Sequence, residues 1–196
     1  VRSIQSTDLF SVYRLADAGI DYPDYAAARE VLITASRRHT RIWLIGNGGS
    51  ASTASHAAHD WNQALGTNSA APAGFAIALT DSAVRITALS NDHAFQEVFS
   101  RQLESLCSPG DLLVAFSVSG SSANLLKACT TADRRGADIL SFTGPVPNPL
   151  AARSGAHVHV RSRYYGLVES AHLSAVHALA DELRPQPLRL SPVVES

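Results

Sequence analysis

The chain has 196 residues, 45% of them hydrophobic and 17% charged, with a formal net charge of -1. That length suits one domain with a substantial core, and the composition excludes the low-hydrophobicity, high-charge signature of disorder. The near-zero charge offers no basic field for a nucleic acid backbone. No apolar run reaches the roughly 20 residues that a bilayer requires, and residues 1–5 lack the apolar stretch of a signal peptide, so no membrane partner and a cytoplasmic location are expected. Cys107 and Cys129 lie far apart without Cys-x-x-Cys spacing, which excludes a disulfide framework or thiolate zinc site and reads as two core thiols.

In chain order, residues 4–18 and 25–38 read as a helical hairpin broken near Asp21-Tyr22-Pro23-Asp24. Apolar runs at 42–45, 75–79, 112–116, 139–142 and 158–160 then alternate with amphipathic stretches at 50–65, 82–90, 94–106, 122–135 and 167–183. Alternation of this kind predicts a five-stranded parallel sheet with helices on both faces, a three-layer α/β/α sandwich of the flavodoxin/Rossmann-like class. The expected organisation is a single unit over 1–184, with N-terminal helices at 1–39 and the α/β core at 40–184. Pro185-Gln186-Pro187 ends the last helix, because proline supplies no amide and clashes with the preceding turn, and leaves 185–196 as a tail.

Two strand-to-helix turns carry ligand-loop chemistry. Gly46-Asn47-Gly48-Gly49-Ser50 combines backbone freedom with the free amides of a helix start, which suits an anion or a hydroxyl; taken alone it is equally a tight turn capped by Ser50. Ser117-Val118-Ser119-Gly120-Ser121-Ser122 places four hydroxyls around one glycine at another helix start, able to surround a phosphate without lysine or metal. Neither turn is a Walker loop or a dinucleotide Gly-x-Gly-x-x-Gly. Both follow predicted parallel strands, on the sheet edge where such folds bind ligands.

His56 and Asp60 stand four apart on the helix leaving the glycine loop, so they share one face. Such a pair alone is more often a surface contact; beside a ligand loop it can ligate a divalent metal or transfer protons. On the last helix Glu169, Leu173 and His177 also recur every four residues. Two imidazoles and two carboxylates from two helices would suit zinc and tolerate manganese or iron. His59 and His172 read as structural.

These loops, with His56-Ala57-Ala58-His59-Asp60, Ser90-Asn91-Asp92 and Glu169-Ser170-Ala171-His172 followed by His177, resemble the SIS (sugar isomerase) domain family over about 25–183, and its phosphoheptose isomerase branch in particular. The resemblance implies that Ser117, Ser119 and Ser122 hold the substrate phosphate. Asn47, Gly48 and Ser50 would line the sugar site, with Asn91, Asp92 and Glu169 as further sugar contacts. Zn2+ would bind at His56, Asp60, Glu169 and His177, in a homotetramer with active sites between subunits. The expected reaction interconverts D-sedoheptulose 7-phosphate and D-glycero-D-manno-heptose 7-phosphate through an enediol, with Asp60 as base and His177 as acid or relay. The pattern departs from that branch at Asp60 and Glu169, where glutamate and glutamine are usual, and at Val118 and Ser121, where threonine and asparagine are usual. A competing expectation is a non-catalytic adaptor associated with a replication initiator, for which four retained metal-ligand types have no evident use.

Overall fold

The structure, a computed structural model, describes residues 6–66 and 76–184. Two helices come first, α1 (Ser6–Val12) and α2 (Tyr22–Arg37). The order is then β1 (Ile42–Gly46), α3 (Gly49–Gly66), β2 (Ala76–Ala78), α4 (Ala83–Asp92), α5 (Ser100–Leu106), β3 (Leu112–Ser117), α6 (Ala123–Arg134), β4 (Asp138–Thr143), β5 (Ala156–His159) and α7 (Tyr165–Leu183). Every strand pairing is parallel and the strand order is β2-β1-β3-β4-β5. The expected doubly wound sheet is therefore present.

Burial on both faces explains the strands. β1 and β3 are buried at every position, as parallel strands covered by helices on both sides must be. Ile42, Leu44, Val114, Phe116, Leu140, Phe142 and Val158 pack with α2, α3 and α7 on one face. Trp43, Ile45, Leu113, Ala115 and Ile139 pack with residues of α5 and α6 on the other. Both cysteines lie in this second core, and burial pushes their thiols up to about 11 for Cys107 and about 12 for Cys129, so neither is a nucleophile at neutral pH. The N-terminal pair is tied to α7: Tyr13 Oη donates to Asp181 Oδ2 (2.6 Å), and Arg29 Nε donates to Glu182 Oε2 (2.8 Å).

Several boundaries differ from expectation: α1 ends at Val12 rather than at 18, with Arg14 at φ +51° in the turns that follow, and α7 begins two residues early at Tyr165. Helix α2 starts at Tyr22 and carries Pro23 in its first turn, where a missing amide costs nothing. The stretch 94–106 is not one helix: Ala94 is extended, Phe95–Glu97 forms a 3-10 turn, and α5 begins only at Ser100. Strand β5 begins two residues early, at Ala156. Expectations for residues 1–5, for 75 and for the tail at 185–196 lie outside the described residues. Among the described residues no helix is long and apolar enough to cross a membrane.

Candidate active site

A chain that leaves β1 toward β2 on one side and toward β3 on the other must open a crevice between their carboxyl ends, the switch point at which α/β sheets bind ligands. The two ligand loops flank that crevice, since β1 and β3 are neighbours with Gly46 level with Phe116. Reciprocal amide bonds join them: Asn47 Nδ2 donates to Asn124 Oδ1 (3.0 Å) and Asn124 Nδ2 donates to Asn47 Oδ1 (2.8 Å). Between them lies a cavity of about 110 Å³ lined by Asn47, Ser50, Ser117, Ser119, Ser122 and Glu169, with Tyr165 at its wall.

The serine loop is shaped by its own hydroxyls. Ser117 Oγ accepts from the Gly120 amide (3.1 Å), and Ser119 Oγ accepts from the amide (3.3 Å) and the hydroxyl (3.2 Å) of Ser121. Ser122 sits at the N-cap of α6 but makes no side-chain cap bond, which leaves its hydroxyl for a ligand. Gly120 is obligatory on two counts. Its φ is +63°, and a Cβ there would stand 2.1 Å from Asn148 Oδ1. The pocket thus offers neutral donors and helix-start amides and, apart from Glu169, no charge.

Helices α3 and α7 run side by side from that cavity, with Glu169 against Gly49, His177 against His56, and Trp61 Nε1 donating to the Val176 carbonyl (3.3 Å). The Glu169 carboxylate fills the space above Gly49, where any Cβ would meet it at 2.4 Å. A second cavity of about 240 Å³, lined by Gly49, Thr53, His56, Glu169 and Leu173 among others, continues along the same groove. Glu169 borders both cavities.

At the far end His56, Asp60 and His177 converge. The two Nε2 atoms are 2.9 Å apart, and Asp60 Oδ2 is 3.0 Å from His56 Nε2 and 3.6 Å from His177 Nε2. Ligands of a tetrahedral ion with bonds of about 2.0 Å stand about 3.3 Å from one another, so these three atoms have the spacing of one face of such a site. Two imidazoles and a carboxylate are also the right donor set for zinc. Asp60 makes these contacts despite its short side chain. Glu169 is not one of the converged group; two turns of α7 separate it from His177, and it meets His56 only through the cavity they share.

The other expected residues are placed as follows. Gly48 adopts φ +56° in the turn before α3. Asn91 and Asp92 end α4, bonded to each other (Asn91 Nδ2 to Asp92 Oδ1, 3.0 Å) and exposed, and neither lines the two cavities of this groove. His59 is exposed. His172 is buried between Phe116 and Phe142, its Nε2 donates to the Thr143 carbonyl (3.1 Å), and burial lowers its pKa to about 4, so the ring is neutral. Two contributors escaped the sequence reading. Tyr165 has no motif around it, and Asn124, two residues past the serine loop, reveals its role only once β1 and β3 are adjacent.

A family model described as the SIS domain matches residues 23–144. The phosphoheptose isomerase of Shewanella sediminis is 34% identical over 184 residues, 92% of each chain. That of Desulfovibrio desulfuricans is 41% identical over 143 residues, covering 72% of this chain and 67% of the relative. Among solved structures, a phosphoheptose isomerase from Neisseria gonorrhoeae aligns with a TM-score of 0.77 at 28% identity over 91% of this chain and 92% of its own. By these matches this chain belongs to the SIS domain family, in its phosphoheptose isomerase branch.

Proposed function

We propose that the chain interconverts D-sedoheptulose 7-phosphate and D-glycero-D-manno-heptose 7-phosphate. The observation that carries the reading is one groove with a neutral, hydroxyl-lined anion pocket at one end and a His-His-Asp cluster at the other. In this reading Ser117, Ser119, Ser122 and the α6 amides hold the phosphate, and Asn47, Gly48, Ser50 and Glu169 meet the sugar. The grip on the phosphate spends remote binding energy on holding C1 and C2 against the cluster. Asp60 takes a proton from C1 of the ketose and returns it to C2. His177 moves the hydroxyl proton from O1 to O2, so the enediol forms and collapses with no net proton gained or lost. Asp60 lies within reach of both imidazoles, as a base that exchanges protons with a relay must.

The same His56, Asp60 and His177 atoms would hold a zinc ion, with Glu169 the fourth donor available along the groove; when bound it would polarise the substrate oxygens. We further read the working form as a cytoplasmic homotetramer with sites between subunits. Helix α4 has no buried residue, and Val84, Tyr164, Tyr165 and Leu167 are exposed apolar side chains near the groove or on α4. A neighbouring copy would cover them, and Asn91 and Asp92 would then reach a partner's sugar.

The test is incubation with five-, six- and seven-carbon ketose phosphates in deuterium oxide. Deuterium entering the carbon beside the aldehyde with the seven-carbon compound alone is the expected result. No exchange with any of them refutes the assignment.

A further inference from the structure

A second group of metal-ligating side chains lies away from the groove, where α2 meets the edge strand β5. His157 and His159 are two apart on β5, so both project from the face opposite Ala156 and Val158. Asp24, in the first turn of α2, reaches them: its Oδ2 is 2.6 Å from His159 Nδ1, and the imidazole centroids are 6.0 Å apart. One ligand atom from each of the three lies within 4.8 Å of the other two.

An ion pair alone does not account for this arrangement. Asp24 and His159 already join α2 to β5, and Arg161 joins Asp21 one register step further along (2.7 Å). The His157 ring adds nothing to that junction and makes no side-chain hydrogen bond among the described residues, yet it brings a third donor to the same point. Ligands of a tetrahedral ion stand about 3.3 Å apart, so closing the group needs side-chain rotation and no backbone movement. The side chains are neither dry nor loose, with 17% exposure at His159 and 22% at Asp24, which leaves a route for an ion and for a water as fourth ligand. The Arg161 charge is neutralised by Asp21 and does not oppose a cation.

We propose that Asp24, His157 and His159 form a second divalent transition-metal site, one that clips the N-terminal helix onto the open edge of the sheet. Two imidazoles and one carboxylate select zinc, cobalt, nickel or copper over magnesium or calcium, which prefer all-oxygen ligation. The group joins the first turn of α2 to β5, so its role is structural. Binding to the folded chain alone raises stability in proportion to the logarithm of free metal.

The experiment uses the full chain carrying His56→Ala and His177→Ala, which disables the groove cluster, titrated with zinc by calorimetry and with Co2+ by visible absorption. The expected result is one ion per chain, cobalt bands of a four-coordinate site, and a zinc-dependent rise in melting temperature. Adding His157→Gln, which leaves the Asp24–His159 pair intact, weakens binding at least about tenfold and removes that rise. Failure of the disabled chain to bind zinc, or binding unchanged by His157→Gln, overturns the proposal. Should the disabled chain not fold, equilibrium dialysis of the otherwise native protein decides: His157→Gln lowers the bound zinc by one ion per chain, and an unchanged count is a refutation.

Discussion

Acid should loosen this protein through one residue, His172. Its ring is buried between Phe116 and Phe142 and donates to the Thr143 carbonyl, and burial lowers its pKa from the ordinary 6.5 to about 4. The unfolded chain therefore takes up a proton near pH 6.5 while the folded chain does not until about pH 4. Stability is at its full value above pH 6.5, falls as the pH drops through that window, and levels off below it. The difference of 2.5 between those two values, at about 1.4 kcal/mol per unit, gives a loss on the order of 3 kcal/mol. Because His172 pins the middle of α7 to the sheet, the loss falls on the helix that carries Glu169 and His177. The assay is urea unfolding at pH 7.5, 6.5, 5.5 and 4.5 for the parent and for His172→Gln, which keeps a donor for the Thr143 carbonyl. Other titrating groups are common to both proteins and cancel, so the stability gap between them should shift by roughly 2–3 kcal/mol across the series. Parallel curves would show that His172 does not resist protonation and would refute the reasoning.

Asp60→Asn keeps the volume and removes the charge; kcat should fall at least about a hundredfold with KM little changed, and a loss under threefold removes Asp60 from the chemistry. Gly120→Ala forces a left-handed alanine at a cost of about 1–2 kcal/mol and drives Asn148 out of place, so the KM for the sugar phosphate should rise about tenfold or more while kcat falls less. Asp111 is a buried carboxylate that accepts from the Arg41 amide (3.1 Å), the Ser108 amide (2.9 Å) and Trp43 Nε1 (2.9 Å). Asp111→Ala strands three donors and should cost roughly 3–5 kcal/mol in chemical denaturation, with a cost under 1 kcal/mol counting against that account.

The strands were easiest to read where burial leaves no ambiguity. Ile42 to Ile45 and Leu112 to Phe116 are unbroken apolar runs because helices cover both faces. β5 was harder because it is an edge strand in which His157 and His159 alternate with core residues, diluting the apolar signal. Proline was over-read at Pro23, since its penalty applies to a helix interior and not to a first turn. The break before α5 has no sequence mark: Val98 and Phe99 both turn into the core, a tertiary demand that overrides helix-forming composition. In the site, helical spacing correctly put Glu169 and His177 on one face. A shared face says nothing about distance along the axis, however, and eight residues are about 12 Å of helix. Convergence with His56 and Asp60 could be read only after α3 and α7 were side by side.

That separation bears on substrate length. The serine loop and the His-His-Asp cluster are fixed at opposite ends of the groove by the packing of α3 on α7 and by the Asn47–Asn124 bridge, so neither end can shift to suit a shorter ligand. In an extended sugar chain each bond of about 1.5 Å advances the carbonyl by roughly 1.25 Å, and a pentose phosphate anchored in the same pocket presents its carbonyl about 2.5 Å short of the point a heptose reaches. A displacement of about 1 Å already costs on the order of a hundredfold in rate. Discrimination between seven-carbon and five-carbon ketoses thus requires no side chain that recognises the extra hydroxyls. It follows, on the proposed roles, from a rigid ruler whose two marks are the serine loop at the helix starts and the His-His-Asp cluster two turns further along.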